Sequence, residues 1–263
     1  MSFTGFMIDM DGTVYKGWDI IPGAMDFIGT LKSEGIPFVF LTNNSSHSRS
    51  YYYDKLIKMG FDIEMKNVLT SNIATIRFVL SERPGKRVYV VASPDVTEEV
   101  RSAGVNVVED NPDIVYLTFD RTITYEKINK AYKALINGAE LIATHPDDVC
   151  PTETDYDIDI GPFIRMFEQM CQTKATIIGK PNRLMLKMAS REMGVDSEGT
   201  VMVGDRLYTD IRMGELAGTS TILVLSGETS RADLEASDIV PTYVLDSVAD
   251  IPALIKGQKS PQV

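Results

Sequence analysis

The stretch Phe6-Met7-Ile8-Asp9-Met10-Asp11-Gly12-Thr13-Val14 constrains this chain more than any other. An apolar run that stops on a carboxylate has the form of a buried strand ending at Asp9, and the Asp-Gly pair that follows turns the backbone. Two acids, Asp9 and Asp11, are thereby delivered to the carboxyl edge of a sheet, where open α/β folds place their ligands. A strand followed by an acidic turn without function has the same local signature. What decides between them is what the rest of the chain brings to that edge.

The pattern after it alternates helix and strand. Pro22-Gly23 introduces an amphipathic segment at 24–33 that Gly35 stops, and the run 36–41 is a second strand ending on Thr42-Asn43-Asn44. Strand, helix and strand in so short a span make a right-handed parallel unit, with both strands ending at one edge. A helix over 48–59 stops at Gly60, and Ser71 is expected to cap another that runs to about Leu80. Ser81-Glu82-Arg83-Pro84-Gly85-Lys86 reads as a linker. A fresh alternation follows: strands at 87–92, 105–108, 114–118 and 141–144, helices opened by Ser93-Pro94 and by Thr124, and a helix over 163–172. The residues between, 146–161, are rich in acids and read as a solvated or substrate-facing loop. A calcium loop fits them poorly, because Gly161 falls one place late counted from Asp155 and no glutamate takes the twelfth position. The chain then resumes the first pattern with a helix over 182–193, strands at 200–204, 219–225 and 243–245, and a helix over 247–256. The expected fold is α/β, a doubly wound, Rossmann-like parallel-sheet core with a smaller α/β domain inserted in it. Its parts are residues 1–80 and 175–256 for the core and 81–174 for the insert, with 257–263 a disordered tail.

Composition narrows the classes of partner. The 263 residues carry a net charge of −11 with the acids spread along the chain, which argues against nucleic acid or an anionic membrane as the main partner. No run approaches the roughly 18 apolar residues of a spanning helix. Two cysteines, Cys150 and Cys171, in no metal-binding spacing, read as reduced thiols of a cytoplasmic protein.

Four predicted strand ends now carry polar groups suited to one reaction: Asp9 with Asp11, Thr42 with Asn43, Lys180, and Asp205 with Asp210. Carboxylates converging on one edge repel, since two unit charges about 4 Å apart cost about 4 kcal/mol at an effective dielectric of about 20. A cation must therefore sit among them, and hard oxygen ligands without convergent His or Cys favour Mg2+. A carboxylate in that setting can attack phosphorus, with Asp9 as the fixed nucleophile and Asp11, displaced around the turn, as general acid and base. Thr42, Asn43 and Lys180 would bind the oxygens of the transferring group.

At these residues the sequence resembles the haloacid dehalogenase (HAD) superfamily, and within it the NagD-type, p-nitrophenylphosphatase-like branch (subfamily IIA). The motifs are Asp9-Met10-Asp11-Gly12-Thr13, Leu41-Thr42-Asn43-Asn44, Gly179-Lys180-Pro181 and Gly204-Asp205-Arg206-Leu207-Tyr208-Thr209-Asp210. The resemblance implies that Asp9 is nucleophile and metal ligand and that Asp11 is acid/base with its backbone carbonyl on magnesium. It makes Asp205 the third protein ligand and Asp210 a supporting acid, and has Thr42, Asn43 and Lys180 hold the phosphoryl group. Residues 12–41 are too few to hold an inserted domain, whereas 43–179 can, which matches the placement of the cap in that branch. The expected activity is hydrolysis of a small phosphorylated metabolite, a sugar or nucleotide monophosphate, with p-nitrophenyl phosphate as a reporter. A phosphotransferase or mutase sharing the aspartyl-phosphate intermediate, and a phosphate-binding module without catalysis, are the alternatives. Residues from His145 to Asp159 are candidates for reading the leaving group, with His145 equally a structural turn residue. The cap face offers a surface for a homodimer.

Overall fold

A computed structural model describes residues 3–152 and 155–257; the predicted tail from 258 onward lies outside the described residues. The chain forms two compact units, the first from residues up to 42, 53–69 and from 180 on, the second from 43–52 and 70–179.

The first unit is built on a six-stranded sheet. Its strands are β1 (Gly5–Asp9), β2 (Phe38–Thr42), β3 (Val68–Thr70), β4 (Thr200–Gly204), β5 (Ser220–Val224) and β6 (Tyr243–Leu245), in the spatial order β6-β5-β4-β1-β2-β3. β1 pairs in parallel with both β2 and β4, and the β4–β5 and β5–β6 pairs are parallel too. β1, β2 and β4 are buried at every residue, as expected for apolar runs covered on both faces. From β1 the chain winds outward through β2 and β3, then restarts on the other side with β4. β1 and β4 are thus the adjacent strands at which the strand order reverses. Such a switch point leaves a crevice at the carboxyl ends, and the residues that follow these two strands supply most of the candidate site.

The second unit carries a five-stranded sheet in the spatial order Thr176–Ile177, Glu140–Ala143, Ile114–Leu117, Arg87–Val91, Asn106–Val107, all neighbours parallel. Leu117, Leu141, Ala143, Ile164 and Phe167 belong to one buried apolar cluster beneath it, so this unit has a core of its own.

Local structure departs from the sequence reading at a few places. Thr70, not Ser71, caps the helix Ser71–Glu82, its hydroxyl accepting from Ile73 N, while Ser71 Oγ donates to the Asn43 carbonyl. Ser93 does not cap the helix it precedes; its hydroxyl donates to Ser46 O at 2.9 Å and to Asp95 at 2.6 Å. Two short antiparallel hairpins, Tyr15–Lys16 with Asp19–Ile20 and Val149–Pro151 with Tyr156–Ile158, lie where no strand was expected.

Candidate active site

β1 ends on Asp9, and the chain turns at Gly12, whose φ of +86° is open to glycine. The turn is closed by Gly12 N donating to Tyr15 O at 2.8 Å and by Val14 N donating to Met10 O at 2.9 Å. Gly12 is crowded as well as turned: a Cβ there would lie 2.3 Å from Oδ2 of Asp205, the residue that follows β4. Gly227 packs against the same carboxylate, with an added Cβ 1.9 Å from Oδ2. Asp205 is therefore wedged between two glycines, and Glu228 N donates to its Oδ2 at 2.6 Å. Thr13 Oγ1 stands 3.4 Å from an oxygen of Asp9 and 3.4 Å from one of Asp205, linking the two acids.

Lys180, the first residue of the chain's return to this unit, is buried and donates to Oδ1 of Asp9 and, at 2.7 Å, to Oδ1 of Asp210. Its bond to Pro181 is cis. Asp210 lies in a π-helical turn, Leu207–Ile211, and its other oxygen accepts from Arg206 N at 3.2 Å. That wide turn brings Asp210 back beneath β4, where Gly204 makes room: a Cβ on Gly204 would fall 2.3 Å from the Asp210 carboxyl carbon. Thr42, at the end of β2, is buried within the same unit.

The electrostatics show an excess of negative charge. Burial first, then the charges of Asp9 and Asp210, push the Asp205 carboxyl well above the usual range. Burial does the same to Asp210, with Asp9 adding to it and Lys180 opposing. Asp11 rises to about 6, by burial and then by Asp9, against the pull of Lys55 and Arg206. Burial works against the charge on Lys180, but Asp210 and Asp9 more than offset it and hold the ammonium above an ordinary lysine. One buried ammonium thus pairs with Asp9 and Asp210, while Asp205 beside them has no such partner among the described ion pairs, so the cluster retains affinity for further positive charge.

Asp9, Asp205 and Asp210 each offer an oxygen within 4.8 Å of the others, a set of hard donors without nitrogen or sulfur that fits a divalent cation of the oxygen-seeking kind. The Asp11 carboxylate is not in this group, and the charges of Lys55, Arg206 and Lys16 favour its ionised form. The first unit therefore brings Asp9, Lys180, Asp205 and Asp210 together, with Thr13 as a link that the sequence reading had left without a role. Lys55 was also missed. It lies over the Tyr15 ring at 3.9 Å and near Trp18, a contact between a helix and a hairpin that no local pattern announces.

Asn43 belongs to the second unit, where its side-chain amide donates to both oxygens of Asp147. The acid-rich loop is not uniformly solvated: His145, Asp147 and Asp159 are buried, because their polar atoms meet one another and Ser45 instead of water. The exposed side chains of this region are those of the hairpin, among them Val149, Tyr156 and Ile158.

The family of the chain follows from comparison with known proteins. The profile described as haloacid dehalogenase-like hydrolase matches residues 6–106, and a HAD-hydrolase-like profile matches 177–251. The 5'-nucleotidase YutF of Bacillus subtilis is 33% identical over 249 residues, 95% of this chain and 97% of that protein. Among solved structures, 4-nitrophenylphosphatase from Thermotoga maritima superposes with a TM-score of 0.93 at 38% identity, covering 96% of this chain and 97% of that one. NagD from Escherichia coli superposes with a TM-score of 0.87 at 32% identity, covering 95% and 98%. The chain belongs to the haloacid dehalogenase-like hydrolases. Within them it falls in the NagD-type, p-nitrophenylphosphatase-like branch and is a phosphoric monoester hydrolase. Among the described residues no helix is long and apolar enough to cross a membrane.

Proposed function

We propose that this HAD-type phosphatase hydrolyses a small phosphorylated metabolite, of the sugar or nucleotide monophosphate kind, through an aspartyl-phosphate on Asp9 and with Mg2+ as its metal. The observation that carries the reading is the convergence of buried Asp9, Lys180, Asp205 and Asp210 at the carboxyl ends of β1 and β4. Mg2+, held by the carboxylates of Asp9 and Asp205 and by the Asp11 carbonyl, would supply the positive charge that lets a dianionic phosphate approach these acids.

The chain's own residues divide the remaining work. An oxygen of Asp9 attacks phosphorus, the bond to the ester oxygen breaks, and Asp11 gives its proton to that oxygen as the alcohol leaves. Water then attacks the phosphorus of the aspartyl-phosphate, Asp11 takes its proton, and Asp9 is regenerated with release of inorganic phosphate. An Asp11 carboxyl raised to about 6 is suited to both directions near neutral pH. Lys180 keeps one ammonium by the nucleophile, with Asp210 fixing it, and Thr42 and Asn43 hold the phosphoryl oxygens. The inserted part, residues 81–174, acts as a cap that selects the leaving group, with residues from His145 to Asp159 as the candidates for reading it.

The test is release of inorganic phosphate by purified protein with Mg2+ from p-nitrophenyl phosphate and a panel of sugar phosphates and nucleoside monophosphates. Turnover of a subset, with Asp9→Asn inactive yet folded, supports the reading. Absence of release across the panel, or an Asp9→Asn variant as fast as the parent, overturns it.

A further inference from the structure

The second unit contains a buried polar cluster in which Asn43 is the one residue given a part in the reaction. Asn43 Nδ2 donates to Oδ1 and Oδ2 of Asp147 at 3.1 and 3.2 Å. The other end of the same carboxamide rests on Gly179, where an added Cβ would come within 2.7 Å of Asn43 Oδ1. Asp147 in turn faces His145, Oδ2 to Nδ1 3.6 Å, and the far nitrogen of the ring faces Asp159 at 3.7 Å and Ser45 Oγ at 3.2 Å. All of these polar side chains are at least nine-tenths buried.

His145, Asp147 and Asp159 could be read as donors to a metal ion. What weighs against this is that both carboxylates already face the imidazole, Asp147 at Nδ1 and Asp159 at Nε2. Asp147 is also already engaged by the Asn43 amide through both of its oxygens. The arrangement is that of a clamp: a ring between two carboxylates, one of which grips a carboxamide.

The backbone builds the clamp firmly. Asp147 and His145 sit in the loop after the strand Glu140–Ala143, and Asp159 sits just before the helix Gly161–Cys171. Gly161 N donates to Asp147 O at 2.8 Å and Asp159 N to Asp148 O at 3.0 Å, closing the base of the hairpin between them. Gly161 can occupy this place only without a side chain, since a Cβ would lie 2.1 Å from Asp148 Oδ1 and 2.7 Å from Pro146 O. Gly179 N donates to Thr144 O at 2.7 Å, so the segment leading directly into Lys180 is tied to the same loop.

We infer that Asp147 is a positioning residue for phosphoryl transfer, acting through Asn43. By accepting from the carboxamide with both of its oxygens, it fixes the orientation of the residue directly after Thr42, with the His145 ring facing Asp147 and Asp159 facing the other side of that ring. The inference rests on the reading in which Thr42 and Asn43 bind the phosphoryl group. Positioning of this sort matters because a displacement of about 1 Å in a binding group can cost on the order of 100-fold in rate.

The experiment is a double-mutant cycle with p-nitrophenyl phosphate on Asn43→Ala, Asp147→Ala and the double variant, with Asp147→Asn and Asp9→Asn alongside. Asp147→Ala is expected to lower kcat/KM by roughly 10-fold or more, mainly through kcat, and to add nothing to Asn43→Ala. Asp147→Asn, which keeps one acceptor oxygen and the shape, should recover part of the loss. The Asn43 side-chain amide protons, followed by 1H–15N correlation, should shift in Asp147→Asn, a readout independent of turnover that holds even if the alanine variant does not fold. Parent-like kinetics in a folded Asp147→Ala, multiplicative losses in the double variant, or unmoved Asn43 amide signals in Asp147→Asn would each overturn the inference. An active Asp9→Asn would instead overturn the underlying phosphatase mechanism, while the amide signals would still judge the clamp.

Discussion

Lys180 and Asp210 form an ion pair 2.7 Å long in which the lysine is 3% exposed and the aspartate not exposed at all. The pair is completed by Asp9 on the same ammonium, so one cation serves the proposed nucleophile and its supporting acid together. Buried pairs contribute little net stability when intact, but removing one partner leaves an unpaired buried charge.

Lys180→Ala should accordingly do two things. It should lower kcat and raise KM together, because the same charge serves substrate and transition state. It should also destabilise the metal-free protein by roughly 3 kcal/mol. Steady-state kinetics and urea unfolding in EDTA check both, and an unchanged rate would remove Lys180 from the site.

The excess of acids predicts how stability depends on metal and pH. Asp205, pushed up to about 8, and Asp210, pushed up to about 6, keep protons in the folded metal-free chain that the unfolded chain releases near pH 4. The folded form therefore binds more protons across that window, so stability in EDTA should fall as pH rises from about 4 to about 8. Added Mg2+ should raise the midpoint of unfolding at pH 8. In EDTA at the same pH, Asp205→Asn should be more stable than the parent by about 1 kcal/mol or more, and Mg2+ should no longer protect it. A flat pH profile in EDTA would contradict this account of the cluster.

Asp11→Asn separates the two halves of the reaction. Loss of the proton donor and acceptor should lower kcat by about 100-fold or more. Because p-nitrophenolate leaves without a proton, its release should still occur once per site before turnover stalls, and a rapid-mixing experiment would show that burst. A variant that slows both phases equally would assign Asp11 some other task.

Gly12→Ala tests the wedge around Asp205. The substitution would require a side chain at φ +86° and a Cβ 2.3 Å from Oδ2, so it should cost about 1–3 kcal/mol in stability and most of the activity. Gly104→Ala, which has a φ of +93° but meets nothing within 4 Å, should bear the strain without the loss of activity. Equal activities in the two variants would show that Asp205 tolerates displacement.

Much of this was legible in the sequence for a physical reason. β1, β2 and β4 are buried throughout, so they read as unbroken apolar runs, and the polar residues that end them stand out. Asp9, Thr42 and Asp205 stand out in this way, whereas Lys180 and Asp210 follow none of these strands directly. The two hairpins were missed because strands of two or three residues carry no periodicity. Thr70 was passed over as a cap because it is also the last residue of a strand, and Ser71 beside it has the same chemistry. The burial of His145 and Asp159 could not be read locally either, since polar residues in an acid-rich stretch default to solvent, and Ser45, which the His145 ring meets, lies 100 positions away.

The strand order has a consequence for how the protein is made. β1 cannot acquire its parallel neighbour β4 until residues 200–204 have been synthesised, whereas the second unit's whole five-stranded sheet lies between 87 and 177. During elongation that sheet can close around its own core while β1, β2 and β3 wait beside an open edge. The first unit is therefore a late folder of high contact order and the second an early one, so a truncated or stalled product would present the apolar edge of β1. Until the last third of the chain emerges, Asp9 also has neither Lys180 nor Asp205 beside it, so no fragment ending before these residues can carry the assembled centre.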